Sequence, residues 1–384
     1  MSEYQVYQFQ SIDRPLTDKE RKKIGSWSSR TSPTATSATF TYSYGDFPKR
    51  EEEAVAEYFD AFLYFANWGT KRLMFRIPKN LLDEKSIRTY QIDASSSYDC
   101  HFAIFSTKKY FLLDFNWSDD EGGGGWFEPD DYQLGDMIAL RNDIIQGDYR
   151  SLYLFWLKLA ASKEEIGSEY YDEDEEAAIP PIPPNLNKLS GSLTAFTEFF
   201  EINKDLIAAA KQASQEVKAP EMDYEKLVKQ LSEKERIDFL VRLAKGEIRV
   251  DLQLQKRLQD LYKSATQTTS KSSKQLSIQE LKQQQEIEKK KRKEAEIKAA
   301  KEAHRQKMLT LGREVRAHWG TVAYNLDRKT GKSYDLATET LKDLQDLAIF
   351  QDKVEEFKEK MMEIREEYGR SKVLLDRFRK AGLF

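Results

Sequence analysis

The sequence predicts an α+β N-terminal domain with a small, mainly antiparallel sheet, followed by an all-α C-terminal half with a long charged helix and a helical-hairpin module. Two observations support this fold class. Residues 1–165 mix short alternating apolar stretches with amphipathic ones, whereas the chain from residue 191 onward has helical spacing. Between the halves, an acidic run precedes the proline-rich "IPPIPPNL" at 179–186, which a helix interior does not accommodate.

Four stretches of the N-terminal half have the pattern of strands. "YQVYQFQSID" (4–13) alternates apolar and polar residues, as does "KRLMFRIP" (71–78). In the latter, Leu73, Phe75 and Ile77 are expected to be buried, and the face of Arg72, Met74 and Arg76 is expected to be wet. "HFAIF" and "KYFLLDF" are separated by three polar residues, so they predict an antiparallel hairpin.

Helical patterns lie between these strands. "LTDKERKKIGSWSSR" (16–30) predicts a helix with Thr17 as N-cap and Glu20 completing a capping box. "REEEAVAEYFDAFLYFANW" (50–68) predicts one amphipathic helix, because its apolar residues recur at helical spacing. That apolar stripe comprises Val55, Tyr58, Phe59, Phe62, Phe65 and Ala66. Farther on, residues 136–162 predict two helices separated at Gly147.

Changes in composition predict the domain organisation. Residues 224–247 of the C-terminal half should form helices that bury their leucines and Phe239. The leucines are Leu227, Leu231, Leu240 and Leu243. The predicted segments are an α+β domain (1–165), an acidic and proline-rich linker (166–190), a small helical domain (191–263), a flexible linker (264–276), a long charged helix (277–320) and a C-terminal helical-hairpin module (321–384).

Composition narrows the class of protein. Charged residues make up 33% of the chain, and no stretch approaches the ~20 apolar residues that span a bilayer. The single cysteine, Cys100, excludes an intramolecular disulfide framework and fits a reducing compartment. We therefore expect a cytoplasmic protein without membrane contact. The net charge of −4 divides unevenly, with −12 in residues 1–180 and +8 in residues 181–384, which favours different partners for the two halves.

No familiar catalytic or cofactor motif is present. The three histidines lie outside any nucleophile motif, and one cysteine cannot build a structural zinc site. "RKTGKSYD" (328–335) ends like a phosphate-binding loop but has Leu326 where its first glycine belongs, so a helix–helix turn is expected. We expect no cofactor, no metal and no catalytic residue. An enzymatic alternative places a site near the predicted hairpin, at Asp93, Asp99, His101 and Asp114.

A cationic cluster opens the long charged helix. It comprises Lys289, Lys290, Lys291, Arg292 and Lys293. Five consecutive cations surround a helix, and phosphate contacts need only positive charge. No aromatic residues interleave with them to stack on bases. Three interpretations stay open: contact with nucleic acid or another acidic surface, occupation of the helix by the acidic loop at 119–131 of the same chain, or a solvated helix that binds nothing. The heptad of a coiled coil is not kept, because Gln and Lys occupy its seam.

Several phrases along the chain together carry a family resemblance. They include "YQFQSIDRPLT" (7–17), "YFDAFLYFANWGTKRL" (58–73), "SLYLFWL" (151–157), "PPIPPNLNKLSGSL" (180–193) and "SYDLATETLKDLQDLA" (333–348). In combination they resemble a widespread bacterial family of uncharacterised proteins, whose members open with YQFQ-x-IDRPL and contain ANWGT. The resemblance implies no activity. It implies an association with SWIM-type zinc-finger proteins, whose helical C-terminal tails are similar to residues 333–384, although this chain lacks the SWIM ligand set.

The sequence therefore predicts a non-enzymatic interaction or adaptor protein. Its C-terminal helices would bind a protein partner through an apolar groove. The cations at 289–293 would add electrostatic contact with nucleic acid or with an acidic surface. The alternative is an enzyme that acts on nucleic acid or nucleotides, with its site in the α+β domain.

Overall fold

The computed structural model describes residues 4–93, 100–118, 131–165, 179–218, 222–266 and 276–383. The chain forms two compact units, Met1–Glu288 and Lys289–Phe384. The first combines an antiparallel sheet with helices and the second is all helical, which confirms the predicted fold class. The finer division into domains stays a prediction. Among the described residues, none of the helices combines the length and apolar character needed to cross a bilayer.

The strands of the first unit form one sheet. They are β1 (Gln5–Gln10), β2 (Ser37–Tyr42), β3 (Ala61–Ala66), β4 (Lys71–Pro78), β5 (Ile92–Asp93), β6 (His101–Ser106) and β7 (Tyr110–Trp117). Among the described residues the order is β2-β1-β3-β4-β7-β6-β5, and every pairing is antiparallel. The predicted strand at 4–13 and the predicted hairpin are confirmed as β1 and β6–β7.

Helices cover both faces of this sheet. Those of the first unit are α1 (Asp18–Gly25), α2 (Glu51–Tyr58), α3 (Glu84–Arg88), α4 (Leu134–Met137), α5 (Ala139–Ile145), α6 (Arg150–Glu165), α7 (Gly191–Phe199), α8 (Lys204–Ala213), α9 (Tyr224–Gln230), α10 (Glu233–Ala244) and α11 (Val250–Thr266). The capping box of Thr17 and Glu20 is confirmed at the start of α1. Gly147 lies between α5 and α6 at a φ of +86°, a conformation that glycine adopts without strain.

The prediction of one helix over residues 50–68 is wrong. The helix α2 ends at Tyr58, Phe59 is extended, and β3 begins at Ala61. The strand β3 lies between β1 and β4, and its side chains are buried on both faces of the sheet. A strand buried on both faces reads as a continuous apolar run without alternation, and "AFLYFA" also satisfies helical spacing. Only the position of the segment in the sheet distinguishes the two structures.

The expectation that one face of β4 is exposed to solvent is also wrong. Leu73, Phe75 and Ile77 are buried as predicted, but Met74 and Arg76 on the other face are buried too. The first face joins the larger core beneath α4–α8. The second faces an aromatic core that includes residues of α1, α2 and β1–β3. Both faces are covered because helices lie on both sides of the sheet.

A buried ionic network lies where these layers meet. Asp60 accepts hydrogen bonds from the backbone N–H groups of Ile12 and Asp13 at 2.7 and 2.9 Å, and from Arg76 at 2.7 Å. Arg141 of α5, with only 1% of its side chain exposed, donates to Asp13 at 2.7 Å and to the carbonyl of Arg76 at 2.8 Å. Buried charges persist when they are paired and hydrogen-bonded in this way.

The helices α9 and α10 bury fewer residues than predicted. Leu227 and Leu231 pack with Leu258 of α11 in a small core, as expected for the first two. Leu240 and Leu243 are exposed, at 65% and 45%, so their predicted burial is wrong. The helix α10 has an amphipathic pattern but no buried residue. Its apolar stripe is therefore an uncovered surface of the described structure.

The second unit consists of helices. They are the main part of α12 (Ile278–Arg313), together with α13 (Val315–Asp327), α14 (Gly331–Phe350), α15 (Val354–Tyr368) and α16 (Lys372–Lys380). The predicted long charged helix breaks at Glu314, where α12 ends and α13 begins. The three helices predicted at 333–384 are confirmed as α14–α16, which share a core with α13 and the end of α12.

We predict that Arg141→Met lowers the free energy of unfolding by about 3–5 kcal/mol, because the buried carboxylate of Asp13 loses its hydrogen-bonded cation and keeps only the 3.7 Å contact with Arg249. Urea denaturation followed by circular dichroism measures the change. The control Arg88→Met removes an exposed cation from the same unit and should change stability by less than about 0.5 kcal/mol. Adding Asp13→Asn to Arg141→Met should recover part of the loss. Equal losses in the two single variants would contradict a structural role for the network.

Candidate functional site

An apolar groove lies between helices of the second unit. We call it the C-terminal groove; its volume is about 380 Å³. It is lined by Gln345, Ala348, Ile349, Val354, Phe357, Lys358, Met361, Met362, Arg365, Gly382 and Leu383. The groove therefore runs along the end of α14, the length of α15 and the chain that follows α16. An apolar groove between helices was predicted here, although its residues were not.

Two chain reversals set the walls of the groove. After α14 the chain turns at Asp352, whose φ is +58°, and the N–H of Lys353 donates to the carbonyl of Ala348 at 2.8 Å. After α16 it turns at Gly382, whose φ is +69°, and Leu383 donates to the carbonyl of Phe378 at 3.0 Å. These are the hydrogen bonds of a helix C-terminus closed by a left-handed residue. The second turn places Leu383 against α14 and α15.

The floor of the groove is buried and its rim is open. Phe357, Met361 and Leu383 are buried, whereas Ile349 and Met362 are each 62% exposed. Large apolar side chains this open, beside a concave apolar floor, are typical of surfaces that bind another molecule. The ionisable side chains in the lining, Lys358 and Arg365, are both basic. The groove thus offers an apolar floor with two basic side chains in its lining, of which Lys358 pairs with Glu355 at 2.7 Å.

The predicted cationic cluster lies on α12. Lys289 is partly buried, and the other four cations of the cluster are exposed. Arg292 donates to Glu296 at 2.8 Å, one helical turn onward. The five cations surround the helix, as the sequence predicted, and their contact with a partner stays a prediction.

Part of the site expected for the enzymatic alternative is present in the structure. His101 Nε2 lies 3.1 Å from Asp114 Oδ2, since the two residues point from neighbouring strands to the same face of the sheet. Asp93 lies opposite His101 in the ladder between β5 and β6. The side chain of Asp93 and all of Asp99 lie outside the described residues. The structure therefore brings together two of the four predicted residues.

Arg72 joins His101 and Asp114, although its role was not predicted from the sequence; we call these three residues the sheet-face cluster. Its guanidinium donates to both carboxylate oxygens of Asp114, at 2.9 and 2.7 Å, and also to Glu52 of α2. Asp114 is fully buried, and 17% of the His101 side chain is exposed. The available signal was the pair Arg72 and Arg76, two cations four residues apart and therefore on one face of a strand whose other face carries Leu73, Phe75 and Ile77.

The partners of Asp114 determine its protonation. Burial alone would raise the pKa of this carboxyl, but hydrogen bonds from Arg72 and His101 bring the pKa below its usual range. The pKa of Arg72 is raised by the same bonds against the opposing effect of burial. The cluster is therefore a charged, hydrogen-bonded group, with an imidazole oriented by a buried carboxylate.

Other candidate chemistries gain nothing from the structure. The segment 328–335, which ends like a phosphate-binding loop, contains the turn between α13 and α14, as expected. Thr330 is the N-cap of α14, which begins at Gly331. Within the described ranges, no group of three or more His, Cys, Asp or Glu side chains could hold a metal ion. Three acidic stretches, at 119–121, 128–131 and 172–176, lie outside those ranges except for Asp131.

Comparison of the chain with protein-family models, with curated proteins and with solved structures finds no match. The resemblance to a bacterial family, and through it to partners of SWIM-type zinc-finger proteins, therefore stays a prediction. What the protein does has to be argued from its own surfaces.

We predict that Asp114→Asn destabilises the first unit by about 3 kcal/mol at pH 7, because Arg72 and His101 lose a buried charged partner. The folded pKa is lowered, so the stabilisation is complete above the unfolded pKa of about 3.9 and is lost as the pH falls through the folded value. The difference between variant and parent should therefore shrink below about pH 4. Urea titrations from pH 7 to pH 2.5 measure it.

Asp18→Asn is the control, because 85% of the Asp18 side chain is exposed to solvent. It should leave stability nearly unchanged across the range. A difference between Asp114→Asn and the parent that persists undiminished at pH 2.5 would contradict the proposed charge state.

Proposed function

We propose that this protein is a non-enzymatic adaptor that acts in the cytoplasm and binds a protein partner through its C-terminal groove. The observation that carries the proposal is the groove itself, in which Ile349 and Met362 stand open above an apolar floor. The uncovered apolar stripe of α10 supports the same class of function, because a chain that exposes several large aliphatic side chains in one place has a surface suited to a partner.

The occupant that fits the groove is an amphipathic helix with acidic flanks. The groove follows α15 from Val354 to Arg365, a span of about 17 Å, which matches three turns of a partner helix. Methionine side chains adapt to varied apolar surfaces, and Met361 and Met362 lie side by side along it. Lys358 and Arg365 favour acidic residues beside the partner's apolar face, where a partner carboxylate would replace the exposed Glu355 as the partner of Lys358.

Cations of α12 would add salt-dependent contact with nucleic acid or with an acidic partner surface. The family resemblance agrees with an adaptor beside a nucleic-acid-binding protein. Neither point is needed for binding at the groove.

We predict that Ile349→Lys combined with Met362→Lys abolishes partner capture, weakening affinity at least tenfold, because it places two charges on the apolar rim. The tagged full chain is used to capture proteins from its own host, with and without nuclease. A captured protein is then purified, and its binding to parent and variants is measured by calorimetry. Both positions are exposed, so folding should be unaffected.

The matched control is Leu336→Lys combined with Val373→Lys. These two residues are also exposed in the second unit but lie outside the groove, so the control adds the same charge. Retained binding in the control and lost binding in the groove variant support the proposal. A partner that is captured only while nucleic acid is intact, or that binds both variants equally, contradicts it.

The second candidate function is the enzyme acting on nucleic acid or nucleotides. The contact between His101 and buried Asp114 favours it, because a carboxylate that orients a partly exposed imidazole is an arrangement used for proton transfer. Arg72 beside them could neutralise a phosphate, although it is already paired with Asp114 and Glu52.

For this candidate we predict that the parent hydrolyses nucleoside triphosphates or labelled oligonucleotides, and that His101→Gln lowers the rate at least 100-fold. The glutamine amide can still donate to Asp114, so the fold should be retained. His304→Gln, which changes an exposed histidine of α12, is the control. The absence of turnover by the parent, or equal rates in both variants, would leave the adaptor as the better account.

A further inference from the structure

The middle of α12 is a helix with solvent on every side. Each residue from 290 to 307 is exposed, a run of five helical turns in which no face is packed. From residue 289 to the end of α12 at 313 there are ten Lys and Arg but three Glu. A helix that is polar all round is stabilised by pairs along its own surface, such as Arg292–Glu296 and Arg305–Glu302.

The cations beyond the cluster are aligned. At about 100° per residue, Lys298, Lys301 and Arg305 fall within about 80° of Lys290 around the helix axis. We call these four residues the α12 stripe. It is about 22 Å long at the rise of an α-helix, and one acidic residue, Glu294, shares its arc. Lys291–Lys293 surround the helix at one end of the stripe.

Charge and the lack of apolar surface select the kind of partner. A protein interface usually needs buried aromatic or aliphatic anchors, and the stripe has none. A membrane-bound helix needs a broad apolar face, whereas Ile297 is the one large aliphatic side chain between residues 290 and 307. Phosphodiester backbones require only cations along a line, and most contacts between proteins and nucleic acids are of that kind.

We propose that the α12 stripe binds the phosphate backbone of duplex nucleic acid without sequence specificity. This inference rests on the electrostatic contact proposed above for the cations of α12. It narrows that contact to one kind of partner, duplex nucleic acid, and to one face of the helix. It does not depend on the C-terminal groove. The helix would lie along a groove of the duplex, where its cations displace condensed counterions, so affinity falls steeply with salt.

The test measures the anisotropy of a fluorescent 20-base-pair DNA duplex with full-length protein between 50 and 200 mM salt. We expect Lys298→Gln/Lys301→Gln/Arg305→Gln to weaken binding at least tenfold at 50 mM salt. We also expect it to reduce the slope of log K against log salt by about 2–3, since each phosphate contact contributes about 0.9. Glutamine has a helix propensity close to that of lysine and arginine, so α12 should persist, which circular dichroism checks.

The matched control, Lys342→Gln/Lys372→Gln/Lys380→Gln, removes three exposed cations from α14 and α16 of the same unit and should change affinity less than twofold. Ile349→Lys combined with Met362→Lys should bind the duplex as the parent does, so a failure of the groove proposal is distinguishable. The inference is overturned if the parent does not bind, if both triple variants lose affinity equally, or if polyglutamate or anionic phospholipid vesicles bind as tightly as DNA.

Discussion

The carboxylate of Asp60 is the point on which the architecture of the first unit depends. It lies immediately before the central strand β3 and accepts the backbone N–H groups that follow β1, while Arg76 reaches it from β4. Arg141 adds α5 to the same network through Asp13. Buried ion pairs contribute little net stability, but their geometry is demanding. A one-residue slip of β4 would move Arg76 into the opposite apolar core, so the network favours a single register of the sheet.

Local patterns predicted the parts of this fold that local interactions determine. Thr17 and Glu20 cap α1 through residues three apart, and the β6–β7 hairpin follows from two apolar runs around a short polar turn. Residues 61–66 could not be assigned in that way. Their spacing satisfies a helix and a doubly buried strand alike. The choice depends on pairing with β4, which follows after a short turn, and with β1, which comes from the start of the chain. Arg76 was misassigned for the same reason, since its partner Asp60 is visible only after folding.

The candidate sites show the same limit. Stacked C-terminal helices predicted a groove as a class of surface, but the lining depends on the reversals at Asp352 and Gly382, which bring Ile349 close to Leu383. The cationic run at 289–293 can be recognised from the sequence alone. Lys298, Lys301 and Arg305 form a stripe only once residues 290–307 are known to be exposed on every side. In the sheet-face cluster, Arg72 meets Asp114 because two strands far apart in sequence are paired.

The two proposed surfaces of the second unit differ in their physics, and the α12 stripe can act at small energetic cost. Its arginine Arg305 is paired with Glu302 on the exposed helix surface, and such pairs are worth only about 0.2–0.5 kcal/mol. Replacing the Glu302 carboxylate by a phosphate as the partner of Arg305 therefore costs little free energy. Each phosphate contact also releases counterions, which favours binding. A partner of the C-terminal groove would instead be held by burial of apolar surface, which salt at these concentrations does not screen. Added salt would therefore weaken the binding of a duplex along α12 far more than the binding of a protein partner in the groove, because only the duplex is held by charge alone.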